Sequence, residues 1–173
     1  MADSRAGSAP GSAPGSAPGI TPDASGSAAA RLETGHAYER ALFAGRMDEL
    51  GEYLTDDVSY WVAGAPPIGG LWRGREAVVG AFANREFGLG AADWGYEELR
   101  RDWSAPGDDR VVVEIHEKSW LKSDPSDVID QRTYCVLRFR DGRIAAIEDY
   151  TDAHLYEEFA ERHRADLPRF RGY

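Results

Sequence analysis

The period of the apolar positions changes along the chain. Between Arg31 and Gly51, Leu32, Tyr38, Leu42, Phe43 and Leu50 recur at mixed spacings of three and four, the period of a helix face. Gly45 interrupts the run, so two helices are expected, with a kink near Gly45-Arg46. Thr55-Asp56-Asp57 then turns the chain into Val58 to Ala63, whose β-branched and aromatic residues predict a strand. Gly64 to Gly70 contains Pro66-Pro67 and suits neither a helix nor a central strand. Gly74-Arg75-Glu76-Ala77 opens a third helix, with Ala77, Val78, Ala81 and Phe82 on one side, expected to end by about Gly88.

Beyond that point the pattern is that of strands: Tyr96 to Ser104, Arg110 to Leu121, Val128 to Arg140 and Ile144 to Thr151. The turns between them are Ala105 to Asp109, Ser123 to Ser126 and Asp141-Gly142. Strands joined by such short turns form an antiparallel meander. A last helix is expected over Ala153 to Arg164, with Leu155 and Phe159 one turn apart. Helices first and a curved meander after them make an α+β fold, the helices lying on one face of the sheet.

Composition adds boundaries. From Gly7 to Gly19 the chain repeats Gly-Ser-Ala-Pro with a period of four, so residues 1–30 are expected to be a flexible tail and residues 31–173 a single domain. The tail has no apolar core of a secretory signal, and Arg5 is its only basic residue. A net charge of −10 argues against nucleic acid and anionic membrane as partners. No apolar run approaches the ~18 residues of a membrane span. A cytosolic location is therefore expected. The single cysteine, Cys135, excludes an internal disulfide and is read as a small buried residue.

One residue breaks the apolar pattern. Asp149 lies inside the last strand, and if it points inward so do Ala145, Ile147 and Thr151. A carboxylate on such a face is costly to bury unless it is hydrogen-bonded or does chemistry. Burial raises its proton affinity and makes it a usable donor or acceptor near neutral pH. The competing reading is a structural cap or ion pair. Its candidate partner is His116, in a strand whose alternation is ambiguous. Either Glu114, His116, Lys118 and Trp120 or Ile115, Glu117, Ser119 and Leu121 face inward, and a bulge can switch between them. Tyr60 offers a phenol on the first strand, either to polarise a reacting oxygen or as plain aromatic core. Trp61, Trp72, Trp94, Trp103 and Trp120 supply aromatic surface for core, interface or ligand. His36, His154 and His163 are expected at surfaces or helix ends, without metal-ligand spacing. No phosphate-cradling glycine loop and no Gly-x-Ser-x-Gly elbow occur, so cofactor-free, metal-free acid/base work is expected.

The order of these elements, together with Trp72-Arg73-Gly74-Arg75-Glu76-Ala77-Val78 and Asp141-Gly142-Arg143-Ile144 running to Glu148-Asp149-Tyr150-Thr151-Asp152, resembles the SnoaL-like proteins. These share the nuclear-transport-factor cone with ketosteroid isomerase, limonene epoxide hydrolase and scytalone dehydratase. The resemblance spans roughly Arg31 to Phe159. It implies a cone-shaped cavity closed by the helices, and a homodimer through the convex sheet face, with Arg132, Tyr134, Val136 and Arg138 on that face. Against limonene epoxide hydrolase, Asp149 matches the last-strand aspartate and Tyr60 the first-strand tyrosine, while Val62 replaces the asparagine. The middle-strand Arg and Asp fall at His116 and Lys118 or, with one inserted turn residue, at Ile115 and Glu117. The ketosteroid isomerase acids fall at Val62 and near Cys135, so that dyad is absent. SnoaL-type cyclases use one aspartate near the end of the sheet, which Asp149 fits.

The resulting expectation is a cofactor-independent enzyme of secondary metabolism acting on an apolar polyketide- or terpenoid-like molecule. It would open an epoxide, by water or an internal hydroxyl, or close a ring. Asp149, His116 and Tyr60 are the expected catalytic residues. Trp120, Glu117, Val62, Thr133, Cys135, Ile147 and Phe82 are the expected lining of the substrate site. Dehydratase or isomerase chemistry in the same pocket, or a small-ligand-binding dimer without chemistry, are the alternatives.

Overall fold

A computed structural model describes residues 26–86 and 93–167. Residues 1–25 of the expected tail lie outside the described residues, whereas Ala28 to Ala30, expected in the tail, already belong to the first helix. The third helix ends at Asn84, within its expected limit of about Gly88. Helix α1 spans Ala28–Phe43 and begins earlier than its apolar period suggests, because the Ser27 hydroxyl caps it by accepting from the Ala30 amide. Its buried face is Arg31, Gly35, Tyr38 and Ala41. Gly35 permits a close approach there: a Cβ would lie 3.0 Å from the Trp103 ring, which would have to shift. The buried Arg31 guanidinium donates to the carbonyls of Gly26 (2.8 Å) and Gly107 (2.7 Å), tying the helix to a sheet turn. Gly45, at φ +68°, breaks the run, and α2 follows at Met47–Glu52.

Strand β1 is Leu54–Val62, β2 Gly70–Arg73, and helix α3 Arg75–Asn84. Then come β3 (Trp94–Ser104), β4 (Arg110–Leu121), β5 (Asp124–Arg140), β6 (Arg143–Tyr150) and α4 (Ala153–Arg162). The six strands form one sheet in the order β2-β1-β6-β5-β4-β3. The expected meander is β3 to β6, all antiparallel. The sheet as a whole is mixed, because β6 pairs with β1 in parallel, Tyr60 beside Ile147 and Val62 beside Asp149. β5 starts at Asp124, inside the expected turn. The pairing is irregular between Trp120 and Leu121, and such a site at a strand's start tolerates Pro125.

Two apolar clusters set the shape. One gathers α1 to α3 on the sheet, with Tyr38, Leu50, Val58, Val78, Val111, Leu137 and Ile147 at its centre. The other seats Phe159 and Ala160 of α4 against Ile68, Leu121 and Ile129. The helices therefore cover the two ends of one sheet face, and a cavity remains between them. The opposite face carries a polar lattice, including Arg132 to Glu114 and Arg138 to Glu148. The register places Tyr134 and Val136 on that face as well. Among the described residues no helix is long and apolar enough to cross a membrane.

Candidate active site

Asp149 sits on β6 between Val62 of β1 and Cys135 of β5, so a central position of the sheet holds its carboxyl. Tyr60, two residues before Val62, shares that face. Its phenol donates to Asp149 Oδ2 at 3.4 Å. The Tyr60 ring is stacked between Trp72 (5.5 Å between centroids) and Phe82 (4.7 Å), which fixes where its hydroxyl points. Asp149 Oδ1 is closed off from solvent and has no hydrogen-bond partner among the described residues.

These surroundings decide the protonation state. Burial pushes the Asp149 carboxyl up from 3.8 to about 7. The charge of Glu117 pushes in the same direction, and the Tyr60 hydrogen bond opposes it. The Tyr60 phenol is itself raised well above its ordinary value, by burial first and then by Asp149, so it stays a neutral donor. Burial likewise raises the Cys135 thiol, which therefore remains protonated rather than nucleophilic.

Two joined lobes surround Asp149. The larger, about 640 Å³, is walled mainly by Tyr38, Leu42, Met47, Phe82, Val113 and Leu137. The smaller, about 380 Å³, is walled by Val62, Trp94, Tyr96, Glu117, Ser119 and Tyr156. Asp149, Thr133, Ile115, Phe43 and Arg85 line both, which puts the acid at the waist. Beside the larger lobe, Glu39 is ion-paired with Arg101. Burial raises the Glu39 carboxyl, and Arg101 partly offsets this.

Most expected site residues converge. Tyr60, Phe82, Thr133, Cys135, Ile147 and Asp149 line the larger lobe, and Val62 and Glu117 the smaller. His116 and Trp120 do not join them. β4 pairs with β5 without a break from Arg110 to Trp120, so no bulge switches its faces. Burial of Val111 and Val113 then turns Ile115, Glu117 and Ser119 inward and His116 outward. On the outer face His116 Nε2 lies 2.8 Å from Asp130 Oδ1. Trp120 covers Gly95, where any Cβ would overlap the indole. The irregularity that sequence left open exists, but in β3, between Glu98 and Arg100.

Sequence reasoning missed the group that holds Glu117. The buried Gln131 amide nitrogen donates to Glu117 Oε1 (2.8 Å) and to the Tyr156 hydroxyl. The Gln131 carbonyl accepts from Thr151 at 3.0 Å. This links β4, β5, the residue that follows β6 and α4 around the smaller lobe. Gln131 was findable, since it lies opposite Glu117 in the β4–β5 register.

A curved sheet closed by helices over a pocket with one buried acid defines the class: this is an NTF2-like fold. The SnoaL-like domain family model matches residues 36–147, and the chain belongs to that family. No curated protein matches it in sequence. Among solved structures it is similar to an NTF2-like protein from Burkholderia xenovorans (16% identity, 76% of this chain and 96% of that one, TM-score 0.65). It is similar also to a protein from a soil-derived mobile gene cassette (22%, 76% and 97%, TM-score 0.59). A third is an LEH-like epoxide hydrolase from M. tuberculosis (18%, 81% and 96%, TM-score 0.55). At these identities the likeness is one of fold.

Proposed function

We propose that the chain is a cofactor-independent acid/base enzyme that opens an epoxide, or closes a ring by the same proton transfers, on a polyketide- or terpenoid-like substrate. The observation that carries this reading is Asp149, a carboxyl held at about pKa 7 at the waist of a largely apolar cavity. An acid half-protonated near neutral pH can both give and take a proton there. In the opening step Asp149 gives its proton to the epoxide oxygen as the C–O bond breaks. Water or an internal hydroxyl attacks the carbon, and its proton passes to the Glu117 carboxylate on the same face. Exchange with solvent returns both groups to their starting states. Tyr60 holds the Asp149 carboxyl in place through Oδ2. His116 has no part in this scheme, because it lies on the other side of the sheet.

The test is turnover of a panel that includes 1-methylcyclohexene oxide and a 4,5-epoxy alcohol in ¹⁸O-water. A labelled diol reports hydrolysis, and an unlabelled cyclic ether reports internal attack. Asp149→Asn is expected to lower turnover by at least about 100-fold, the scale of a lost general acid. Turnover unchanged in that variant would refute the assignment.

A further inference from the structure

The smaller lobe has more polar capacity than proton transfer requires. The hydroxyls of Ser119 on β4 and Thr133 on β5 are buried and have no hydrogen-bond partner among the described residues. Thr133 is 8% exposed overall. Leaving a buried hydroxyl unpaired costs about 1–3 kcal/mol, and nothing in the fold requires a hydroxyl at either place: Val in place of Thr133 and Ala in place of Ser119 would keep the same shape. Both residues line the lobe, and each hydroxyl can donate and accept. Between them in register lies Glu117, oriented by Gln131. Tyr156 accepts from Gln131 at its oxygen and so keeps its own O–H to donate. Around these groups the wall is mainly apolar, with Val62, Trp94 and Ile115, while Arg85 and Tyr96 also line it. Few polar groups set in an apolar wall is how a ligand site fixes orientation. Both lobes are mainly apolar by area, and the larger differs in which side chains line it, Leu42, Met47, Val113 and Leu137 among them.

We infer that the smaller lobe is a recognition subsite for a hydroxyl-bearing end of the substrate, with Ser119 and Thr133 as its hydrogen-bonding residues. The substrate is then amphiphilic: an apolar body in the larger lobe, the reacting bond at Asp149, and an oxygenated end beyond it. From Thr133, beside Ile115, to Ser119 is four residues along β4, or about 13 Å at a strand's rise. An end group about the size of one six-membered ring does not span that interval, so Thr133 meets a hydroxyl beside the waist and Ser119 one farther into the lobe. This inference deepens the proposed function and rests on it for the position of the reacting bond.

The test reads binding without turnover. Quenching of tryptophan fluorescence gives the affinities of 4-phenylcyclohexanol and of phenylcyclohexane for the wild-type protein and for the Ser119→Ala/Thr133→Val double variant. The alcohol is expected to bind roughly tenfold more weakly to the double variant, the scale of one lost neutral hydrogen bond. Phenylcyclohexane is expected to stay within about twofold, which also shows the cavity to be intact. Equal changes for both probes, an unchanged alcohol affinity, or no binding of the alcohol to the wild type would overturn the subsite. Any of those results leaves the Asp149 assignment standing, because that is read from turnover of the epoxides. Conversely, an Asp149→Asn protein with undiminished turnover removes the chemistry and leaves the subsite to its own test.

Discussion

At the scale of single residues, opposed influences act on one carboxyl. Burial and the Glu117 charge raise the proton affinity of Asp149, and the Tyr60 phenol lowers it. Removing either neighbour therefore has a signed consequence. Tyr60→Phe moves the Asp149 midpoint upward and Glu117→Gln moves it downward, both measurable by ¹³C NMR of the side-chain carboxyl. Shifts in the same direction would contradict the geometry. Asp149 and Tyr60 were legible in the sequence because each is a polar group on an otherwise apolar face, Tyr60 between Val58 and Val62 and Asp149 after Ala145 and Ile147. The choice between His116 and Glu117 was not. Val111-Val112-Val113 places three β-branched residues in a row, and such a run hides which face is inner. Only the packing of Val111 and Val113 against the helices resolves it, with Val112 left on the outer face.

At the scale of elements, the phase of β4 yields its own prediction. His116→Ala is expected to leave turnover within about twofold, since truncating a half-exposed His116–Asp130 pair on the outer face disturbs little. A loss comparable to that of Asp149→Asn would show that the strand's faces are reversed. The four meander strands and the three helices of ten residues or more could be read from period alone. β2 could not, since four residues with Gly70 at one end and Arg73 at the other leave too short a pattern. The parallel pairing of β1 with β6 was equally hidden, because it joins strands about half the chain apart and no local signal records it. That pairing brings Val62 and Tyr60 alongside Asp149 and Ile147, so the site depends on a contact that local sequence does not encode.

At the scale of the whole molecule, the buried acid weighs on stability. An unfolded chain releases the Asp149 proton near pH 3.8, whereas the folded protein keeps it until about 7. Between those values the folded state binds more protons, so the contribution of Asp149 to stability falls as pH rises and levels off above 7. The limiting penalty is on the order of 4 kcal/mol. In urea unfolding, Asp149→Asn is therefore expected to gain on the wild type from pH 4 to pH 8 by up to roughly that amount. A difference that stays constant with pH would mean that the carboxyl feels no burial. A group retained at such a cost fits the view that catalytic acids are kept for their chemistry at the expense of the fold.

The most direct measurement is the titration of the Asp149 carboxyl in the folded protein, followed by ¹³C NMR and assigned with Asp149→Asn. The account predicts a midpoint of about 7. A midpoint near 3.8 would contradict it, because the acid would then be fully ionised at neutral pH and unable to donate the proton on which the proposed chemistry depends.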